Sequence, residues 1–286
     1  MTRPVDGELT RHSDERRQRP LAPWWGRVDT SFLGVSALLF AASAALTIAR
    51  CGSMASMEGM PMPGHWTMSM AWMRMPGQSW SSAAASFLGM WVVMMVAMML
   101  PSLVPMLSRY RRAVAHHADQ RRLAGLTVLV GSGYFLVWTL FGVLAFPLGV
   151  ALATVAMELP AVARAVPVAS GIVVLIAGVV QLTAWKARHL ACCRGASRAR
   201  GGTLSADPDA AWKYGLRLGL HCTYCCASLT AVLLVLGVMD LRAMTVVAAA
   251  MTAERLAPAG QRVAKIIGVL VVAAGLFLIA REIAVG

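Results

Sequence analysis

The sequence predicts an all-α fold, a polytopic transmembrane helical bundle of about seven spans, and three observations predict it. Of the 286 residues, 58% are apolar, and the mean hydropathy is +0.65, above what ordinary soluble domains carry. Charge-free stretches recur that are long enough to cross the roughly 30 Å hydrocarbon core of a bilayer as helices. The basic residues fall between those stretches. In a soluble protein a net charge of +13 would suggest a nucleic-acid partner. Here the distribution of Lys and Arg sets orientation in a membrane instead, and the partners it implies are a lipid bilayer and no nucleic acid.

The first span is Thr30 to Ala49, closed by Arg50 and Cys51. The basic segment before it, with Asp6, Glu8, Asp14 and Glu15 among its arginines, lacks the short apolar core and small-residue cleavage site of a secretory signal, so a retained anchor is expected. A loop of eight methionines and His65 follows, including the units Met60/Met62, Met68/Met70 and Met73/Met75. Pro61, Pro63, Gly64, Pro76 and Gly77 argue against regular structure in it.

The second span is the most unusual stretch of the chain. Ala83 to Leu107 carries no charge over 25 residues, and Met90 to Met106 holds six methionines. On a helix Met90, Met94 and Met98 form one i, i+4 stripe, with Met95, Met99 and Met106 beside it. Pro101 releases the carbonyl of Ala97, which predicts a kink near Met98.

A basic connector with His116 and His117, read as solvated, leads to span three at about Leu126–Val155. Span four is Pro167 to Lys186 and contains Gln181 and Thr183; span five runs from Gly215 to Met239. Met244 to Ala253 is apolar but short, either a sixth span or a re-entrant hairpin. Val263 to Ala280 is the last. With the N-terminus cytoplasmic, the inner segments hold 21 of the 26 Lys and Arg residues, as the positive-inside rule requires of a multi-pass protein of a bacterial inner membrane. This divides the chain into a cytoplasmic tail, residues 1–29, and a transmembrane domain, residues 30–282. The domain includes a Met-rich periplasmic loop at 50–82 and a cytoplasmic loop at 187–214.

Two cysteine clusters then fall at the cytoplasmic ends of spans four and five. In His221-Cys222-Thr223-Tyr224-Cys225-Cys226 the spacing puts Cys222 and Cys226 on one helical face, and His221 one turn before Cys225. Thiols and an imidazole in this pattern suit a soft metal. Buried inert cysteines or a redox dithiol are the alternatives, although no thioredoxin-like pattern surrounds the motif. His189, Cys192 and Cys193 form the second cluster, and a mixed site of Cys193, Cys222 and Cys226, with His189 as a fourth ligand, is the sharpest reading. The methionines Met90, Met94, Met95, Met98 and Met99 are candidate thioether ligands for Cu(I), against the plainer reading that methionine fills gaps between packed helices. The chemical analogy is with eukaryotic high-affinity copper transporters, which pair Met-X-Met segments with a Met-bearing membrane helix. Glu254 beside Arg255 reads as an interfacial charge, with a buried carboxylate as the alternative.

Several stretches together resemble a bacterial family of predicted metal-binding integral membrane proteins, a domain of unknown function. They are MWVVMMVAMMLPS from Met90, GYFLVW from Gly133, AGVVQLTAWKARHL from Ala177, GLRLGLHCTYCC from Gly215, GVMDLRAM from Gly237 and ERLAP from Glu254. The family's Lys-X-X-Cys-Leu-X-X-Cys-Arg pattern falls on Lys186, His189, Leu190, Cys193 and Arg194, so His189 stands for its first cysteine. Tyr224 before the cysteine pair and Ala227 after it also depart from the pattern.

The expected function is soft-metal binding, with Cu(I) carried by thioethers outside and by thiolates and imidazoles inside. A metallochaperone or membrane copper enzyme is the expected partner, with no enzymatic activity of the chain's own. No phosphate-binding loop supports ATP-driven pumping. A mercuric or other thiophilic-metal transporter is the rival, and so is an assembly partner that delivers copper without transporting it.

Overall fold

The computed structural model describes residues 30–55, 59–75, 77–195 and 206–285. The tail expected at 1–29, parts of the Met-rich loop at 56–58 and 76, and the cytoplasmic connector at 196–205 lie outside the described residues. The helices are α1 (Thr30–Ala55), α2 (Trp80–Val114), α3 (Gln120–Glu158), α4 (Pro160–Leu182), α5 (Ala184–Gly195), α6 (Pro208–Leu236), α7 (Leu241–Leu256) and α8 (Gly260–Val285). The fold is an all-α helical bundle. Six of these helices, all but α5 and α7, are long and apolar enough to cross a membrane. Their outward faces carry large exposed apolar side chains, including Leu38, Leu144, Leu152, Leu270 and Phe277. Such a surface is stable against lipid and not against water, and it is compatible with a multi-pass membrane protein.

The packing fixes the direction of each helix. Trp91 of α2 donates its indole N–H to the Trp138 carbonyl of α3 at 2.9 Å, while Arg111 reaches Thr127 near the other end at 3.2 Å. The two helices are therefore antiparallel. α3 and α6 run parallel: Gly215 lies against Val130, where a Cβ would stand 2.3 Å from the Val130 carbonyl oxygen, and Gly219 against Tyr134. α4 and α8 are antiparallel, with Gly171 beside Ile279 and Gly178 beside Val272. Small residues at these crossings let the backbones approach, as is usual between helices in lipid.

α6 and α8 both start at the cysteine-bearing end, so α7 must carry the chain back. It does: Met244 near its start meets Cys51 at the far end of α1, and Arg255 near its end meets Ser102 and Cys193. At 16 residues α7 is about 24 Å long and is not among the helices long and apolar enough to cross a membrane.

Two elements differ from the sequence reading. Span four does not continue to Lys186. Thr183 is extended (φ −74°, ψ 154°) and its hydroxyl accepts from the Lys186 amide at 3.3 Å, so α4 stops and α5 starts as a separate, redirected helix. The Met-rich loop is not irregular throughout. Strands β1 (Met60–Met62) and β2 (Trp66–Met68) pair antiparallel, with Met60 opposite Met68 and Met62 opposite Trp66. Gly64 at φ +100° and His65 at φ +59° supply the left-handed turn that closes the hairpin. The Trp66 indole then donates to the Ala163 carbonyl at 2.9 Å, tying the hairpin to the start of α4. α2 continues as helix through Pro101 and Pro105.

Candidate metal centre

The break at Thr183 matters because it turns α5 back against the first half of α6. Cys193 is then buried, and its thiol donates to the His221 carbonyl at 3.3 Å. Cys222, Cys225 and Cys226 are buried as well. The four thiols share one buried core, Cys193 from α5 and the other three from α6. Tyr134 of α3 joins them, its hydroxyl 2.8 Å from the Cys222 sulfur.

The vicinal cysteines of α5 part company. Cys192 is exposed and lies 3.9 Å from Nε2 of His221. His189 packs on the same side, its ring 4.5 Å from Trp185, 5.4 Å from Tyr224 and 6.3 Å from His221 between centroids. The residues proposed from sequence as one cluster thus fall into a buried group of thiols and an outward group of Cys192, His189 and His221. Among the described residues no three or more His, Cys, Asp or Glu side chains are arranged to hold a single ion. Cu(I), a soft ion content with few soft ligands, does not require such a group of three.

The methionine stripe of α2 is buried on the same side. Met94, Met95, Met98, Met99 and Met106 belong to one continuous core with the four buried thiols, while Met90 is half-buried. Met244 and Met251 of α7 and Cys51 of α1 complete that core. Sequence reasoning missed these three, because each is isolated in sequence and only the packing of α7 against α2 collects them. The Cys51 and Met244 sulfurs are 4.0 Å apart.

Beneath the thiols lies a buried polar network. The Lys186 ammonium is 2.8 Å from the Glu254 carboxylate, with both side chains at most 2% exposed. Lys186 also donates to the Cys225 carbonyl, and Gln181 donates to Glu254. Ser228 donates to the Gln181 amide oxygen at 2.7 Å. Glu254 is therefore an interior residue and not an interfacial one. Its burial is tolerable because its carboxylate is paired with Lys186 and hydrogen-bonded by Gln181. Arg194 caps the end of α7, donating to the carbonyls of Glu254 (2.9 Å) and Pro258 (3.0 Å).

The PpoB2 family, described as a copper chaperone, has a model that matches residues 88–278. That stretch takes in the methionine helix, both cysteine clusters and the Lys186–Glu254 pair. The chain belongs to the PpoB2 copper-chaperone family. The family description supports copper handling in general, and the thiols and thioethers, soft, polarizable donors held away from water, are of a kind that fits copper. No curated protein and no solved structure matches the chain.

Proposed function

We propose that this protein is a membrane-embedded Cu(I) chaperone that accepts the ion on methionine sulfur and holds it on the buried thiols of α5 and α6 for transfer to a partner, a metallochaperone or copper enzyme. The observation that carries this reading is the burial of Cys193, Cys222, Cys225 and Cys226 in one continuous core. Buried thiols with no disulfide among the described residues are poised for a metal that needs deprotonated sulfur. The test is the copper content of protein purified under reducing conditions. The wild type should carry about one Cu(I) per chain, and the Cys222→Ser/Cys225→Ser/Cys226→Ser variant none. Copper retained by that variant would remove the thiols from the reading.

A second reading, net passage of Cu(I) across a bacterial inner membrane, is favoured by the unbroken sulfur-rich core between Cys51 and Met244 at one end and the thiols at the other. In that reading Met94 and Met98 are stepping stones. Replacing both by Leu changes volume little and should leave stability within about 1.5 kcal/mol, while copper accumulation by cells falls several-fold. Unchanged accumulation at matched protein level would return both residues to packing.

A further inference from the structure

Arg255 is buried among cysteine thiols. Its Nη1 donates to the Ser102 hydroxyl at 2.9 Å and its Nη2 to the Cys193 sulfur at 3.9 Å, while Nε has no partner. Cys222, Cys226 and Tyr134 lie within its electrostatic reach. Among the described residues no carboxylate forms an ion pair with it, since Glu254 is taken by Lys186. Lys186 and Glu254 pair with each other, so the groups left to face the guanidinium are the thiols and the Tyr134 hydroxyl, which offset a buried cation only when deprotonated, as thiols are on binding a metal. Nothing in the protein ligates through that guanidinium, and a permanent cation beside metal ligands ordinarily repels metal ions.

We infer that Arg255 is the counter-charge that makes this site select a monovalent soft ion. The inference rests on the thiol-held metal proposed above. Two thiolates around Cu(I) carry a net charge of −1, which Arg255 neutralises. The same two thiolates around Hg(II) are neutral and leave the guanidinium uncompensated. A divalent ion reaches −1 only by recruiting a third thiolate, and among the described residues no three His, Cys, Asp or Glu side chains are grouped to hold one ion. The discrimination is thus made by charge, where sulfur chemistry alone would favour either ion.

The experiment measures Cu(I), Ag(I) and Hg(II) affinities of the full-length purified protein by competition with soluble chelators. Unit charges about 4 Å apart in a partly screened interior interact strongly enough that Arg255→Gln should weaken Cu(I) and Ag(I) by roughly 100-fold or more, with Hg(II) changed little. Arg255→Lys keeps the charge and should hold the Cu(I)/Hg(II) ratio within about tenfold of the wild type. Ser102→Asp sets a carboxylate against the intact guanidinium and should shift the ratio as Arg255→Gln does; it decides the matter if Arg255→Gln does not fold. Equal weakening of all three ions, or an unchanged ratio in Ser102→Asp, would overturn the role of Arg255. Copper lost from the triple cysteine variant but an unshifted ratio in the Arg255 variants would defeat this inference alone, whereas copper retained by the triple variant would defeat the thiol site itself.

Discussion

Glu254→Gln should be the most destabilising single substitution in the interior network, costing about 3–5 kcal/mol. The change is nearly isosteric, so packing is not the cause. It leaves the Lys186 ammonium, 1% exposed, without its carboxylate at 2.8 Å. Lys186 also donates to the Cys225 carbonyl, so its displacement would loosen the contact between α5 and the cysteine-bearing turn of α6. Thermal unfolding in detergent should show a large fall in midpoint for Glu254→Gln. Adding Lys186→Met should restore much of it, because replacing a whole buried ion pair by apolar groups is often close to neutral. A Glu254→Gln protein as stable as the wild type would mean that Lys186 finds water, and that the site is wetter than its burial indicates.

The positions of the membrane-length helices were legible in the sequence because length and absence of charge are properties of contiguous residues. So was the cysteine motif of α6, whose i, i+4 spacing states by itself which thiols share a face. What was not legible depends on residues far apart. The end of α4 at Thr183 leaves no strong mark, since Thr is compatible with a helix and no Gly or Pro follows. Yet this break turns Cys193 inward and leaves Cys192 and His189 outside. Glu254 and Arg255 read as an ordinary charged helix end because their partners, Gln181, Lys186 and Ser102, come from three other segments. The hairpin at Met60–Met68 was hidden by Pro61 and Pro63, which argue against a strand; Pro61 is accommodated on the edge strand β1, and Pro63 falls in the turn with Gly64 and His65. The family match to residues 88–278 names copper, which the mixture of thiols and thioethers alone shares with other soft metals.

The buried thiols should hold one Cu(I) through either of two neighbouring pairs. Cys193 of α5 packs against the turn of α6 that carries Cys225, and Cys222 and Cys226 lie one turn apart on α6. The pairs adjoin through Cys225 and Cys226, and both Cys193 and the Cys222/Cys226 face are within reach of the single Arg255 charge. One cation can neutralise one anionic dithiolate complex, so a second ion would bring an unmatched negative charge into a dry interior. Copper content should therefore be about one ion per chain in the wild type. Cys193→Ser should still bind one ion on Cys222 and Cys226, and Cys222→Ser/Cys226→Ser one ion on Cys193 and Cys225, each with affinity lowered by tenfold or more. The triple variant of Cys193, Cys222 and Cys226, left with Cys225 alone, should bind none. That pattern is strongly non-additive, as expected of residues sharing one ligand. Two ions in the wild type, falling to one in each partial variant, would mean two independent sites, and the charge-matching role of Arg255 would then apply to only one of them.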